Sequence, residues 1–190
     1  MIDVPDLGGG FLEMWRELLL LAKQAPAPWT LIGAHMVALH GWKAGRTQPR
    51  ASRDADILVN ARVAGPGHVR LDVLGPDGVG SHISLQTIRV GKSSGAIPVP
   101  DILGAILVKV RAIEVDDVPQ AQRADVAFLL SLVEDPDPLA AALSKSERRW
   151  LKRRPELADP TSPCYQGIAH PADAATVFRR LARGSQAAGD

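Results

Sequence analysis

Between residues 11 and 24 the apolar positions are Phe11, Met14, Trp15, Leu18, Leu19 and Ala22. They recur at three- and four-residue intervals and predict an amphipathic helix. Gly8, Gly9 and Gly10 precede it, and Pro26 and Pro28 stop it. The pattern then shortens. Trp29–Gly33 is a brief apolar run that predicts a buried strand, and the segment after it, with Met36, Val37, Leu39 and His40, predicts a short helix. DADILVN at 54–60 predicts a strand whose apolar part starts directly after two carboxylates. HVRLDVLG at 68–75 alternates Val69, Leu71 and Val73 with Arg70, Asp72 and Leu74, a strand with one polar face. GPG at 65–67 and PDG at 76–78 are turns, and residues 82–100 predict two more strands around a GKSSG turn.

After Pro100 the period becomes helical. Asp101 is placed to cap a helix over 102–115; helices follow at 120–134, 138–154 and Pro171–Arg183, with PTSP at 160–163 as a breaker. The expected class is therefore α/β in the α+β sense: a mixed sheet with flanking helices, then a C-terminal helical half. The expected division is a core over 1–100 and a helical half over 101–190, with a single joint domain as the alternative.

Composition narrows the function classes. A chain of 190 residues with 46% hydrophobic residues suits one domain of moderate size. It carries 22 basic and 21 acidic residues, net +1, which excludes a histone-like or acidic-tail protein but allows a local basic patch. A single cysteine, Cys164, excludes an intrachain disulfide framework and a Cys-based zinc cluster, and is expected to be inert. The longest apolar runs, Leu18–Ala22 and Ile102–Val108, fall well short of the ~20 residues a membrane span needs. Met1–Gly10 has two Asp and no basic residue, unlike a signal peptide. The expectation is a soluble, cytoplasmic chain without a membrane partner.

The candidate chemistry centres on carboxylates. On a strand, side chains two apart share a face, so Asp54 and Asp56 would stand side by side. Like charges placed together need a cation, and Mg2+ favours oxygen ligands plus substrate phosphates. Asp72 is a third acid, mid-strand between Leu71 and Val73, placed to complete a three-carboxylate metal site. The bland alternatives are a solvated strand end for the pair, and an ion pair to Arg70 or Arg53 for Asp72. Before the carboxylates lies a basic loop with Lys43, Arg46, Arg50 and Arg53. A second basic cluster holds Lys145, Arg148, Arg149, Lys152, Arg153 and Arg154, with Trp150 inside it as a base-stacking group or an apolar anchor. Arg46, Arg50, Arg148, Arg149, Lys152 and Arg153 are the candidate RNA contacts; a solvated charged face is the alternative. The five histidines show no metal-ligand spacing and are taken as structural, His35 with a phosphate contact as its alternative.

LIGAHMVALHG, the Arg-rich loop and SRDADILV, in that order, resemble the nucleotidyltransferase fold of the DNA polymerase beta superfamily. PDILGAILVKVRAI followed by QRADVAFLLSLVEDP is similar to the helical half of AbiEii/AbiGii-type toxins, including the MenT group. The resemblance spans roughly 29–135. It departs from the pattern at Ala34, where the superfamily usually has Gly or Ser, and at Ala124, where the toxins often have Lys or Arg before the aspartate.

The resemblance implies a transferase that moves an NMP from an NTP, with Mg2+ or Mn2+, to a hydroxyl acceptor. Asp54, Asp56, Lys109 and Asp125 are its implied catalytic residues, and Asp54, Asp56 and Asp72 its implied metal ligands. Gly33, Ala34, Ser52, Arg53 and Lys109 are implied to bind the nucleotide, Lys109 as a point charge on the triphosphate. Ser52 is also an implied phosphorylation site, where a phosphate would repel the triphosphate. The implied acceptor is the 3′ end of tRNA, although relatives of the fold also modify proteins, and the implied role is a toxin with a cognate antitoxin protein. From the residues alone, Lys109 is equally a helix lysine that reaches solvent, and Asp125 a salt-bridge partner of Arg123 or Arg111. The alternative for the whole chain is a catalytically degenerate module that binds nucleotide, RNA or a partner protein.

Overall fold

The computed structural model describes residues 1–24, 29–47, 55–59 and 82–183. They form two compact units, Met1–Asp101 and Ile102–Asp190. The class is α+β, with seven α-helices and five strands among the described residues. No described helix is long and apolar enough to cross a membrane.

In the first unit, β1 (Ile2–Asp3) leads into α1 (Phe11–Gln24), β2 (Trp29–Ile32), α2 (Gly33–Lys43), β3 (Asp56–Val59), β4 (Ile83–Val90) and β5 (Ser93–Pro100). β1 pairs parallel with β4, and β4 and β5 form an antiparallel hairpin from Ile83–Pro100 to Val90–Ser93. Only Gly91 and Lys92 make its turn, so Ser93–Gly95 of the expected loop belong to the strand; Gly91 has φ +60°, as a tight hairpin requires. The two-residue β1 has no sequence pattern to announce it. It is held by its backbone pairing with β4, continued by Val4 N–H donating to the Arg89 carbonyl at 2.9 Å, and by burial of Ile2 and Val4; the exposed Asp3–Arg89 ion pair, 2.7 Å from the guanidinium NH2 to Oδ2, adds little.

β2 and β3 form a separate antiparallel ladder, from Trp29–Val59 to Ile32–Asp56. One expected sheet is thus two ladders among the described residues, and two prolines supply the reason. Asp101 N–H donates to His82 at 2.6 Å, so alternate residues of β5, including Pro98 and Pro100, turn their N and O atoms away from β4. Proline has no N–H, so that edge cannot donate to a ladder at these positions. Side chains take the carbonyls instead. Thr30 Oγ1 donates to Pro98 at 3.1 Å, and His40 Nε2 to Pro100 at 2.9 Å. Leu31, Met36, Val37, Ile88, Ile97 and Val99 close the core. Beside them Phe11, Trp15 and Trp42 pack around His35, with the Phe11 and His35 rings stacked at 5.6 Å.

Burial of His40, which outweighs its bond to Pro100, holds its pKa below the ordinary 6.5. Below pH ~6.5 the unfolded chain therefore binds a proton that the folded chain refuses. Stability should be complete above that pH and should fall as the pH drops toward the depressed folded value. Thermal melts across pH 7 to 5 check this: the slope in the wild type should flatten in His40→Gln, and an equal slope in both would assign it to other groups.

The second unit is helical: α3 (Ile102–Ala112), α4 (Pro119–Ser131), α5 (Pro136–Ala142), α6 (Lys145–Lys152) and α7 (Pro171–Arg183), with 3-10 turns at Pro155–Ala158 and Pro163–Tyr165. The helix expected over 138–154 is two helices. Ser144 breaks it by building a capping box: its hydroxyl accepts from Glu147 N–H at 3.3 Å, and the Glu147 carboxylate accepts from Ser144 N–H at 2.7 Å. α3 and α4 end three residues before their expected limits. Leu103, Ile106, Leu107, Val126, Leu129, Leu130, Leu151, Phe178 and Leu181 form the core.

Candidate functional site

Two groups of the expected site residues can be built from the described side chains, one in each unit. The first begins at the end of β2. Ile32 is the register partner of Asp56, so the chain leaves β2 directly opposite the first residue of β3 and enters α2 at Gly33. Gly33 has φ +72°, a region L side chains rarely adopt. A Cβ there would overlap the Asp56 carboxylate, with Asp56 Cβ and Cγ both 2.8 Å away. Glycine is required twice, by its backbone angle and by the acid lodged against it. α2 has no side-chain cap at Ile32 and no acid in its first turn. The Asp56 carboxylate of β3 thus lies beside the start of α2, against Gly33. The small Ala34 that follows is buried.

Gly33→Ala combines an unfavourable left-handed residue, about 1–2 kcal/mol, with displacement of Asp56. It should cost about 2 kcal/mol or more in chemical denaturation, and Asp56→Gly on that background should restore part of the loss. A Gly33→Ala protein as stable as the wild type would contradict the close approach.

Asp56 is exposed. Asp54, Asp72, Ser52, Arg50 and Arg53 lie outside the described residues, as does the strand expected at 68–75. Among the described residues no group of three or more His, Cys, Asp or Glu side chains is placed to hold a metal ion. Asp56 is the described member of the expected carboxylate set, and its hard oxygen donors suit Mg2+. Arg46 lies just beyond α2 and is exposed.

The second group lies between α3 and α4. Lys109 sits in the apolar run ILVKV and is 2% exposed. It does not reach solvent: its Nζ is 2.8 Å from Asp125 Oδ2, and Asp125 is equally buried. Nζ also donates to Gln122 Oε1 at 2.9 Å. The Gln122 amide donates in turn to the Asp116 carboxylate, which accepts from Val118 N–H at 2.7 Å. A buried lysine is tolerable when paired and hydrogen-bonded, as here. Neither arginine proposed for Asp125 takes it. Arg123 pairs with Glu156 at 2.9 Å, and Arg111 with Glu114 at 2.9 Å. Sequence reading missed Gln122, Asp116, Glu114 and Glu156. Gln122 carried a signal, since it lies three residues before Asp125 and shares its helix face.

The basic segment on α6 divides. Arg148 turns inward, donating to the Leu143 carbonyl at 3.0 Å with its other terminal nitrogen shielded from solvent. That bond spends one end of its guanidinium on the start of α6. Arg154 is largely buried, 3.0 Å from Glu114. Lys145, Arg149, Lys152 and Arg153 are exposed. Trp150 is half-buried, and Arg111 lies over its ring at 4.9 Å from the centroid. One ring face is thus occupied by a cation rather than offered to a base. Elsewhere, His35 is enclosed by the aromatic cluster, and burial pushes the Cys164 thiol up. An open depression of 620 Å3 lined by Asp3, Trp42, Lys43, Leu85 and Gln86 includes none of the expected site residues.

Comparison with protein-family models, with curated proteins and with solved structures gives no match for this chain.

Proposed function

We propose that the chain is a divalent-metal-dependent nucleotidyltransferase that moves an NMP from an NTP to a hydroxyl acceptor. The observation that carries this reading is the left-handed Gly33 closed against Asp56 at the start of α2. A helix end without a side-chain cap presents N–H groups to phosphate oxygens, and a carboxylate beside it is placed to share a cation with the same phosphates. Asp56, with Asp54 and Asp72, would hold Mg2+ or Mn2+, which neutralises phosphate charge during displacement. The acceptor oxygen bonds to the α phosphorus, the bond to the bridging oxygen breaks, and pyrophosphate leaves. The acceptor's proton passes to a carboxylate or to water. On the resemblance described above, the acceptor is the 3′ end of tRNA, and the chain is a cytoplasmic toxin with a cognate antitoxin.

The sealed Lys109–Asp125 pair favours a second reading, in which α3 and α4 serve structure and the chain binds nucleotide or RNA without turnover. Thermal stability in Mg2+ with each NTP tests the binding that both readings share. At least one NTP should stabilise the wild type, by about 2.7 kcal/mol at a hundredfold excess over Kd. Asp56→Ala should abolish the effect. Persistence of the shift in Asp56→Ala would place the nucleotide elsewhere. Pyrophosphate release on adding total tRNA then separates transferase from binding module.

A further inference from the structure

The six cations of residues 145–154 are not one patch. Four stay at the surface, and three of these, Lys145, Arg149 and Lys152, follow helical i, i+4, i+7 spacing along one face of α6. Arg153 extends the row, its side chain 65% exposed. The row is about 10 Å long at ~1.5 Å per residue. That length covers about three steps, or four successive phosphates, at the ~3.4 Å axial rise of a nucleic-acid strand.

The surroundings leave the row strongly positive. Glu114 is the acid beside it, and it is shared by Arg111 at 2.9 Å, Arg154 at 3.0 Å and Arg153 at 3.6 Å. One carboxylate therefore faces three guanidiniums. Glu147, the acid within α6, is buried in the capping box. Arg149 spends one N–H on its own helix, 3.4 Å from the Lys145 carbonyl. Among the described residues, no carboxylate lies within ion-pair distance of Lys145, Arg149 or Lys152. The face also offers a bilayer little apolar area: Leu151 is fully buried, and Trp150 is half-buried with Arg111 over its ring. A net charge of +1 for the whole chain makes the row a local concentration rather than part of a general excess.

We propose that the outer face of α6, through Lys145, Arg149, Lys152 and Arg153, binds the phosphate backbone of RNA without reading its sequence. The choice of RNA among polyanions rests on the transferase reading above. Contacts of this kind position a strand and make binding salt-dependent. Four such contacts give a slope of log affinity against log salt of about −3, or about fifty-fold weaker binding at 200 than at 50 mM KCl.

Fluorescence anisotropy with fluorescein-labelled tRNA over that range tests the proposal. In K145Q/R149Q/K152Q, glutamine keeps helix propensity, and circular dichroism checks that the helices stay formed. The slope should fall to about −1, or about three-fold over the same range. K23Q/K92Q, which removes exposed cations from the first unit, should keep the wild-type slope. Unchanged affinity and slope in the triple variant, an equal loss in K23Q/K92Q, or binding to phosphatidylserine vesicles in place of tRNA would each overturn the proposal. RNA binding that follows the row, in a protein with no NTP turnover, would uphold the interface and remove the transferase. Turnover on tRNA with no dependence on the row would do the reverse.

Discussion

Lys109→Met is expected to destabilise the helical unit by about 3–5 kcal/mol, because it removes the ammonium 2.8 Å from the buried Asp125 carboxylate. The ion pair itself is a different quantity. Two charges removed from water lose hydration that their attraction only roughly repays, so apolar residues in both places can be nearly neutral. Lys109→Met/Asp125→Val should therefore recover most of the loss of the single variant. Gln122 limits the recovery, since its Oε1 then loses the ammonium as a partner. Urea denaturation of the three proteins measures both effects. A large single-variant loss with recovery in the double variant identifies the pair as structural. A stable Lys109→Met protein that has lost turnover would instead return the lysine to the nucleotide, as the resemblance implies.

Asp56→Asn is the second large effect, and it falls on activity rather than on the fold. Asparagine keeps the shape that Gly33 accommodates, and Asp56 is exposed, so stability should change by less than about 1 kcal/mol. The amide is a poor ligand for a hard dication and carries no charge toward the helix end. Loss of an outer-shell partner of a metal typically costs ~10–100-fold in activity or affinity, and loss of a ligand should exceed that. Initial rates of pyrophosphate release in Mg2+ check the expectation. A rate within a few-fold of the wild type would remove Asp56 from the site.

The elements most legible in the sequence were those whose burial pattern is local. α1 and α7 begin and end where their apolar spacing, prolines and flanking residues place them. The break between α5 and α6 was legible in principle. Ser144 and Glu147 form the S-x-x-E signature of a cap, but the apolar pattern runs through it without Gly or Pro. The two ladders of the first unit were not legible, because they depend on which edge of β5 Pro98 and Pro100 face, and that is set by pairing with β4. The site divides in the same way. Gly33 and Asp56 follow from the order strand, glycine, helix, acid strand, and their contact needs only the β2–β3 register. The partner of Lys109 required the packing of one helix against the next. Among the nearby acids and bases, side-chain length and register, not sequence proximity, decided the pairs.

The most direct test of the transferase reading is incorporation of label. Purified protein, total tRNA and Mg2+ are combined with each α-labelled NTP in turn, beside Asp56→Asn and Asp54→Ala. Label should enter tRNA with the wild type and one preferred NTP, and with neither variant. Label confined to protein bands would keep the chemistry and replace the acceptor. No label with any nucleotide, in a protein whose intact mass shows no phosphate on Ser52, would contradict the transferase and leave a module that binds without turnover.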